Sequence, residues 1–134
     1  MRDKSSDIPI GGVLKPQSIA AAGNATGAWV DSRTAAWWVA LLSVGAGGGI
    51  GSGAFTIVQA TDSSGTGAKA VAGSPGSNTV TLASDGASGV IDLDPQALDL
   101  ANSFFFVAIK CAMTGGTNCI AQGVLVACDP HYAT

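Results

Sequence analysis

Few side chains in this sequence are equipped for chemistry, and their spacing limits what they can do. The single histidine, His131, lies close behind Cys111, Cys119 and Cys128. Three thiols and an imidazole together invite a zinc site. Thiolate zinc sites are usually built on tight Cys-x-x-Cys knuckles, whereas these cysteines are eight and nine residues apart. A Cys128–His131 nucleophile pair fares no better, because no third group stands near to orient the imidazole. Asp92, Asp94 and Asp99 could offer oxygens to calcium. The sequence has no Glu to bind bidentately and no recognisable calcium loop, so these aspartates read as turn and cap residues. The glycines of 45–53 (GAGGGIGSG) match GxGxxG loosely. They lie between two β-type runs rather than before a helix, so they read as a hairpin loop. The expectation is a chain that is not an enzyme, with no catalytic residue, no metal and no cofactor.

The composition points to a different kind of work. The 134 residues suit one domain. Apolar residues make up 47% and charged residues only 11%, less than half of the roughly 25% of ordinary soluble domains. A surface so poor in charge is covered by partners, is built of Ser, Thr and Gly, or both. All nine acids are Asp. Glu favours helices and Asp favours turns, so the absence of Glu argues against a helical protein. A net charge of −3 with six basic residues leaves no footprint for nucleic acid. The longest apolar run, 35–42, is far short of the ~20 residues a membrane helix needs. There is no signal-peptide pattern in MRDKSSDIPIGG, so the chain is expected to be made in, and to stay in, a cytosol-like compartment until something else carries it out. Three cysteines, an odd count, do not suggest a disulfide framework and read as buried free thiols.

Residues 1–16 read as an N-terminal arm, broken by Pro9, Gly11, Gly12 and Pro16. It is either a frayed end or an arm that orders on a neighbouring subunit. Residues 17–134 read as one β-domain. Strands are expected at 17–22, 27–31, 36–44, 54–61, 68–72, 78–84, 90–93, 103–113 and 118–128, with Gly-rich turns at 45–53, 62–67, 73–77 and 84–89. Short strands at this spacing imply a sandwich or barrel. Only 94–100 suggests helix, with Asp94 as cap and Pro95 at the first position.

The last two strands read as a hairpin closed by Thr114-Gly115-Gly116-Thr117. A two-residue loop pairs Cys111 with Ile120, Ile109 with Gln122, Val107 with Val124 and Phe105 with Val126. One face then collects Phe105, Val107, Ile109, Cys111, Met113, Ile120, Val124 and Val126. The opposite face carries Phe104, Phe106, Ala108, Leu125 and Ala127, and is nearly as apolar. Cys111 and Cys119 fall on opposite faces in this register. The strand at 36–44 is likewise apolar on both sides. Strands covered on both faces suggest a second sheet on one side and a partner, or long loops, on the other.

Three stretches resemble a known family. They are Asp31-Ser32-Arg33-Thr34-Ala35-Ala36-Trp37-Trp38-Val39, the strand from Phe55 to Ala60 closing on Thr61-Asp62-Ser63-Ser64-Gly65, and the final run from Phe105-Phe106-Val107-Ala108-Ile109 to Val124-Leu125-Val126-Ala127-Cys128-Asp129-Pro130-His131-Tyr132-Ala133. In residue class they are similar to the small decoration, or cement, proteins of tailed bacteriophages, whose genes lie beside the major capsid gene. The chain departs from that pattern in its Phe104–Phe106 triplet and its cysteines. The resemblance implies a jelly-roll-like antiparallel β-sandwich on the capsid outer surface, a virion structural protein bridging major capsid protein subunits and associating with itself as a homodimer or homotrimer. Neither nucleic acid nor membrane is an expected partner. Aromatic anchors usually carry most of an interface, so Trp29, Trp37, Trp38, Phe104 and Phe106 are candidate contacts, about half of them expected to be core, and Leu125, Ile8 and Ile10 are taken with them. The competing expectation is a receptor- or carbohydrate-binding module of a head fibre or tail. It requires a Trp in an open groove beside polar side chains.

Overall fold

A computed structural model describes residues 10–20, 23–45, 52–71, 79–84, 86–114 and 118–130. Among the described residues ten strands follow the turn signals of the sequence. They are β1 (Ile10–Ala20), β2 (Asn24–Thr26), β3 (Val30–Asp31), β4 (Ala35–Gly45), β5 (Ser52–Ala60), β6 (Lys69–Ala70), β7 (Thr79–Leu82), β8 (Ser88–Leu93), β9 (Phe106–Thr114) and β10 (Asn118–Pro130). They form two antiparallel sheets. Sheet I has the order β1-β10-β4-β8. In sheet II, β2 and β3 share one edge of β9, β5 pairs with its other edge, and β6 and β7 share the far edge of β5. The pairs nest: β1 with β10, β2 and β3 with β9, β4 with β8, β5 with β6 and β7. A long hairpin rolled up in this way is a jelly roll, with four strand positions in each sheet.

The core lies between the sheets because each central strand alternates. In β4, Trp38, Ala40, Leu42 and Val44 point inward. They meet Phe55 and Ile57 of β5 and Val107, Ile109, Cys111 and Met113 of β9, all in one buried cluster. In β1, Leu14 and Ile19 are both buried although an odd number of positions separates them. A register irregularity between Leu14 and Gln17 restores the phase. It surrounds Pro16, which has no N–H to give a ladder and is tolerated because β1 is an edge. Where β1 passes the β2–β3 connection, the chains touch. A Cβ on Gly12 would lie 2.2 Å from the Ala28 carbonyl oxygen, so only glycine fits there.

Three expectations need correction. The strand β1 begins at Ile10, so residues 10–16 belong to sheet I and not to an arm; residues 1–9 lie outside the described residues. The strands β9 and β10 are not a hairpin, since β9 pairs within sheet II and β10 within sheet I. They sit opposite each other across the core. The inward phase of β10 is therefore the reverse of the expected one. Cys119, Ala121, Leu125 and Ala127 are buried, and Ile120 is exposed. Finally, the expected helix at 94–100 is two single 3-10 turns, Pro95–Ala97 and Leu100–Asn102. The capping role of Asp94 holds, its carboxylate accepting from the Gln96 amide at 2.9 Å.

The connection before β9 is pinned by polar contacts. Gln59 is buried in β5; its Oε1 accepts from the Asp99 amide at 2.8 Å and its Nε2 donates to the Ala70 carbonyl at 3.3 Å. Asp99 also pairs with Lys69 at 2.5 Å. The Lys69 ammonium in turn lies 4.1 Å from the centre of the Phe104 ring.

Candidate functional site: the two outer sheet faces

The sequence-derived contact residues scatter. Trp38 and Leu125 are 1% and 0% exposed and belong to the core. That corrects their assignment to an interface. The Trp38 indole donates to the Ser32 carbonyl at 3.1 Å, which satisfies its one polar atom inside the core. Trp37, beside it on the outward phase of β4, is half-buried opposite Cys128. Phe104 is half-buried beneath Lys69, and Phe106 is half-buried on β9 opposite Asp31 and Ala60. Ile10 pairs through its backbone with Val126. Ile8 and His131 lie outside the described residues. Among the described residues no group of His, Cys, Asp or Glu is arranged to hold a metal.

The cysteines also sit differently from the sequence reading. Cys111 and Cys119 are buried and their thiols hydrogen-bond to each other between the sheets, rather than falling on opposite faces. Desolvation, with Cys119 beside it, pushes the Cys111 thiol up to about 12. Burial raises Cys119 too. Such thiols are poor nucleophiles, because the thiolate is the reactive form.

What sequence reasoning missed is the outer face of sheet I. The large apolar side chains most exposed among the described residues are Val13 at 37%, Leu41 at 46%, Val90 at 54% and Ile120 at 41%. All four lie on that one face. Backbone register explains the grouping. Val13 opposes Val124, Val124 opposes Leu41, and Leu41 opposes Val90, so one apolar row crosses all four strands. Val126 and Val39 extend it on one side. On the other, Gln122 donates to Ser43 at 2.7 Å. Asp92, opposite Val39, is the only acid on the described part of this face. A shallow depression of about 350 Å³ runs along the row between Val13, Pro16, Leu41 and Val124. The signal was present in the two-sided apolar pattern of 36–44, but the strands that flank β4 could not be read from it.

The outer face of sheet II has another character. Thr26, Lys110, Thr56 and Thr79 oppose one another in a row across the sheet. Beside that row Trp29 walls an open groove of about 290 Å³, whose lining includes Ala54, Ala112, Thr26, Thr56, Lys69 and Lys110. Trp29 is seated on the turn that follows β5. Gly65 in that turn has a φ of +85°, and a Cβ there would lie 2.7 Å from the indole Nε1. Asp62 shapes the turn by accepting from the Ser64 and Thr66 amides and the Thr66 hydroxyl. These hydrogen bonds, with the Thr66 hydroxyl foremost, hold its carboxyl below the usual carboxylate range.

No protein-family model matches this chain, and no curated protein matches it, so its two faces are what any functional reading has to rest on.

Proposed function

We propose that this chain is a virion structural protein that decorates a capsid of the tailed-bacteriophage kind, seating the outer face of sheet I on neighbouring major capsid protein subunits. One observation carries the reading: the four exposed apolar residues Val13, Leu41, Val90 and Ile120 share one face. Contiguous apolar surface on a small domain favours contact with another protein. Covering these half-exposed side chains contributes about 1 kcal/mol each, so together roughly a thousandfold in association. A repeating lattice multiplies such modest contacts through avidity. The jelly roll suits the task, since it offers a four-stranded sheet face as a platform. The low charge suits it as well, because few ions lose their hydration on docking.

The test uses particles. Particles lacking this gene should lose capsid stability to heat, and adding back the purified protein should restore it. Add-back of Leu41→Asp or Val90→Lys protein should fail to bind, while both variants should still fold because these side chains are about half exposed. Particles unchanged in stability and in surface by the deletion would overturn the reading.

A second reading, a saccharide-binding module, is favoured by a separate observation: Trp29 stands in an open groove beside Thr26, Thr56, Lys69 and Lys110. The two readings use opposite faces of one sandwich and are compatible.

A further inference from the structure

We propose that the Trp29 groove on sheet II binds an acidic sugar, a pyranose ring bearing a carboxylate. The inference rests on the saccharide reading and narrows it to a substrate class and to named residues. The shape comes first. The register places Ala54 opposite Ala112, and these small side chains leave a floor beneath the row of Thr and Lys. A volume of about 290 Å³ is at the low end for small-molecule sites, which suits a ring-sized group rather than a long peptide.

The chemistry of the lining follows. An indole offers a flat apolar surface to the C–H face of a sugar ring. The turn at Gly65 holds that indole, so little order has to be gained on binding. The hydroxyls of Thr26 and Thr56 can both donate and accept, as sugar hydroxyls require. Charge then selects the acid. Lys69 and Lys110 both line the groove, and no carboxylate-bearing residue does. Lys69 is already engaged by Asp99 and Phe104, yet it is half-exposed and an ammonium has three donors. Lys110 is half-buried, and among the described residues its ammonium has no hydrogen-bond or ion-pair partner. A partly desolvated cation flanked by Thr26 and Thr56 across the register favours an anion. The chain as a whole carries a net charge of −3, so this local excess of positive charge is not a general property of its surface.

The probes are the methyl glycosides of glucuronic acid and N-acetylneuraminic acid, with those of glucose and galactose as neutral controls. Binding to the full chain is followed by NMR, using the indole N–H of Trp29 as reporter. The acidic sugars should bind about tenfold more tightly than the neutral ones, as one charge-assisted hydrogen bond predicts, and the difference should shrink at high salt. Lys110→Met should remove that preference, and Lys110→Arg should keep it. Trp29→Ala, followed through the backbone amides of Thr26, Thr56 and Lys110 because the indole is gone, should weaken all the sugars together; should that variant not fold, Lys110→Met decides alone. Acidic and neutral sugars binding alike, with Lys110→Met unchanged, would overturn the acidic assignment while leaving the saccharide reading intact. No response of the Trp29 indole to any of the four sugars would overturn both. Neither outcome bears on particle binding through sheet I.

Discussion

Cys111 and Cys119 show how little a cysteine count says until the neighbours of each thiol are known. Their burial makes a prediction about pH. The folded thiol of Cys111 titrates near 12, whereas an unfolded cysteine gives up its proton at about 8.5. The unfolded chain therefore binds fewer protons between those values, and stability falls as pH rises from the lower toward the higher. Chemical denaturation from pH 7 to pH 10 should show that decline, and a Cys111→Ala variant should show less of it. The same burial predicts an order of labelling. Cys128, half-buried on the outer side, should react with a thiol reagent in the native state, while Cys111 and Cys119 should react only after unfolding. Mass spectrometry of partly labelled protein reads this directly. Gln59 is the second decisive residue. Replacing it with Leu leaves the Asp99 amide without its buried acceptor and should destabilise the fold by about 1–3 kcal/mol, measured by urea unfolding.

At the scale of elements, the edge strand β1 and the connection at 94–104 each depend on a specific local device. The first depends on Gly12, where a Cβ would meet the Ala28 backbone. Gly12→Ala should cost about 1–3 kcal/mol, because backbone rather than a movable side chain stands in the way. Native-state hydrogen exchange should show the loss concentrated in β1 and its ladder with β10. The 94–104 connection depends on charge. Lys69 and Asn102 hold the Asp99 carboxyl below its usual range, the Lys69 hydrogen bond foremost. The Asp31 carboxyl is lowered in the same way by Arg33, which it binds at 2.7 and 2.9 Å. A carboxylate lowered in the folded state stabilises above its unfolded value near 3.9 and loses that contribution as pH falls through the folded value. Acid titration followed by circular dichroism should therefore show destabilisation beginning below about pH 4. Asp99→Asn should reduce the acid dependence.

For the whole molecule, the two outer faces differ in chemistry, and the two proposed roles divide between them. Sheet I presents an apolar row from Val13 to Val90, and sheet II presents hydroxyls, ammoniums and an indole. A molecule that binds a lattice through sheet I keeps sheet II turned outward. Leu41→Asp should abolish particle binding and any self-association through sheet I, leaving the melting temperature of the isolated chain nearly unchanged because Leu41 is half-exposed. Analytical ultracentrifugation and particle add-back measure the two effects separately.

Read alone, the sequence established the class of the fold and the places of its strands. Periodic Gly and Asp clusters mark turns, a chain without Glu and rich in Val, Thr and Gly favours β-structure, and the nine expected strands each overlap one strand among the described residues, with only the three-residue β2 at Asn24–Thr26 missed. It also identified the cap at Asp94 and the turn at Asp62, whose carboxylates accept from amides a few residues away. Pairing was a different matter. Thr114-Gly115-Gly116-Thr117 suggested a hairpin because a turn motif records only a reversal of the chain, and a reversal within one sheet looks the same as a step between two. The step between sheets inverted the inward phase of β10, moved Leu125 into the core, brought Ile120 to the surface and joined the two thiols. Likewise, two neighbouring tryptophans have the same composition and opposite fates, Trp38 inside and Trp37 outside, because strand alternation assigns faces only after a partner sheet is in place. Which apolar residues stayed uncovered was a property of the rolled-up pair of sheets, and with it came the location of both faces.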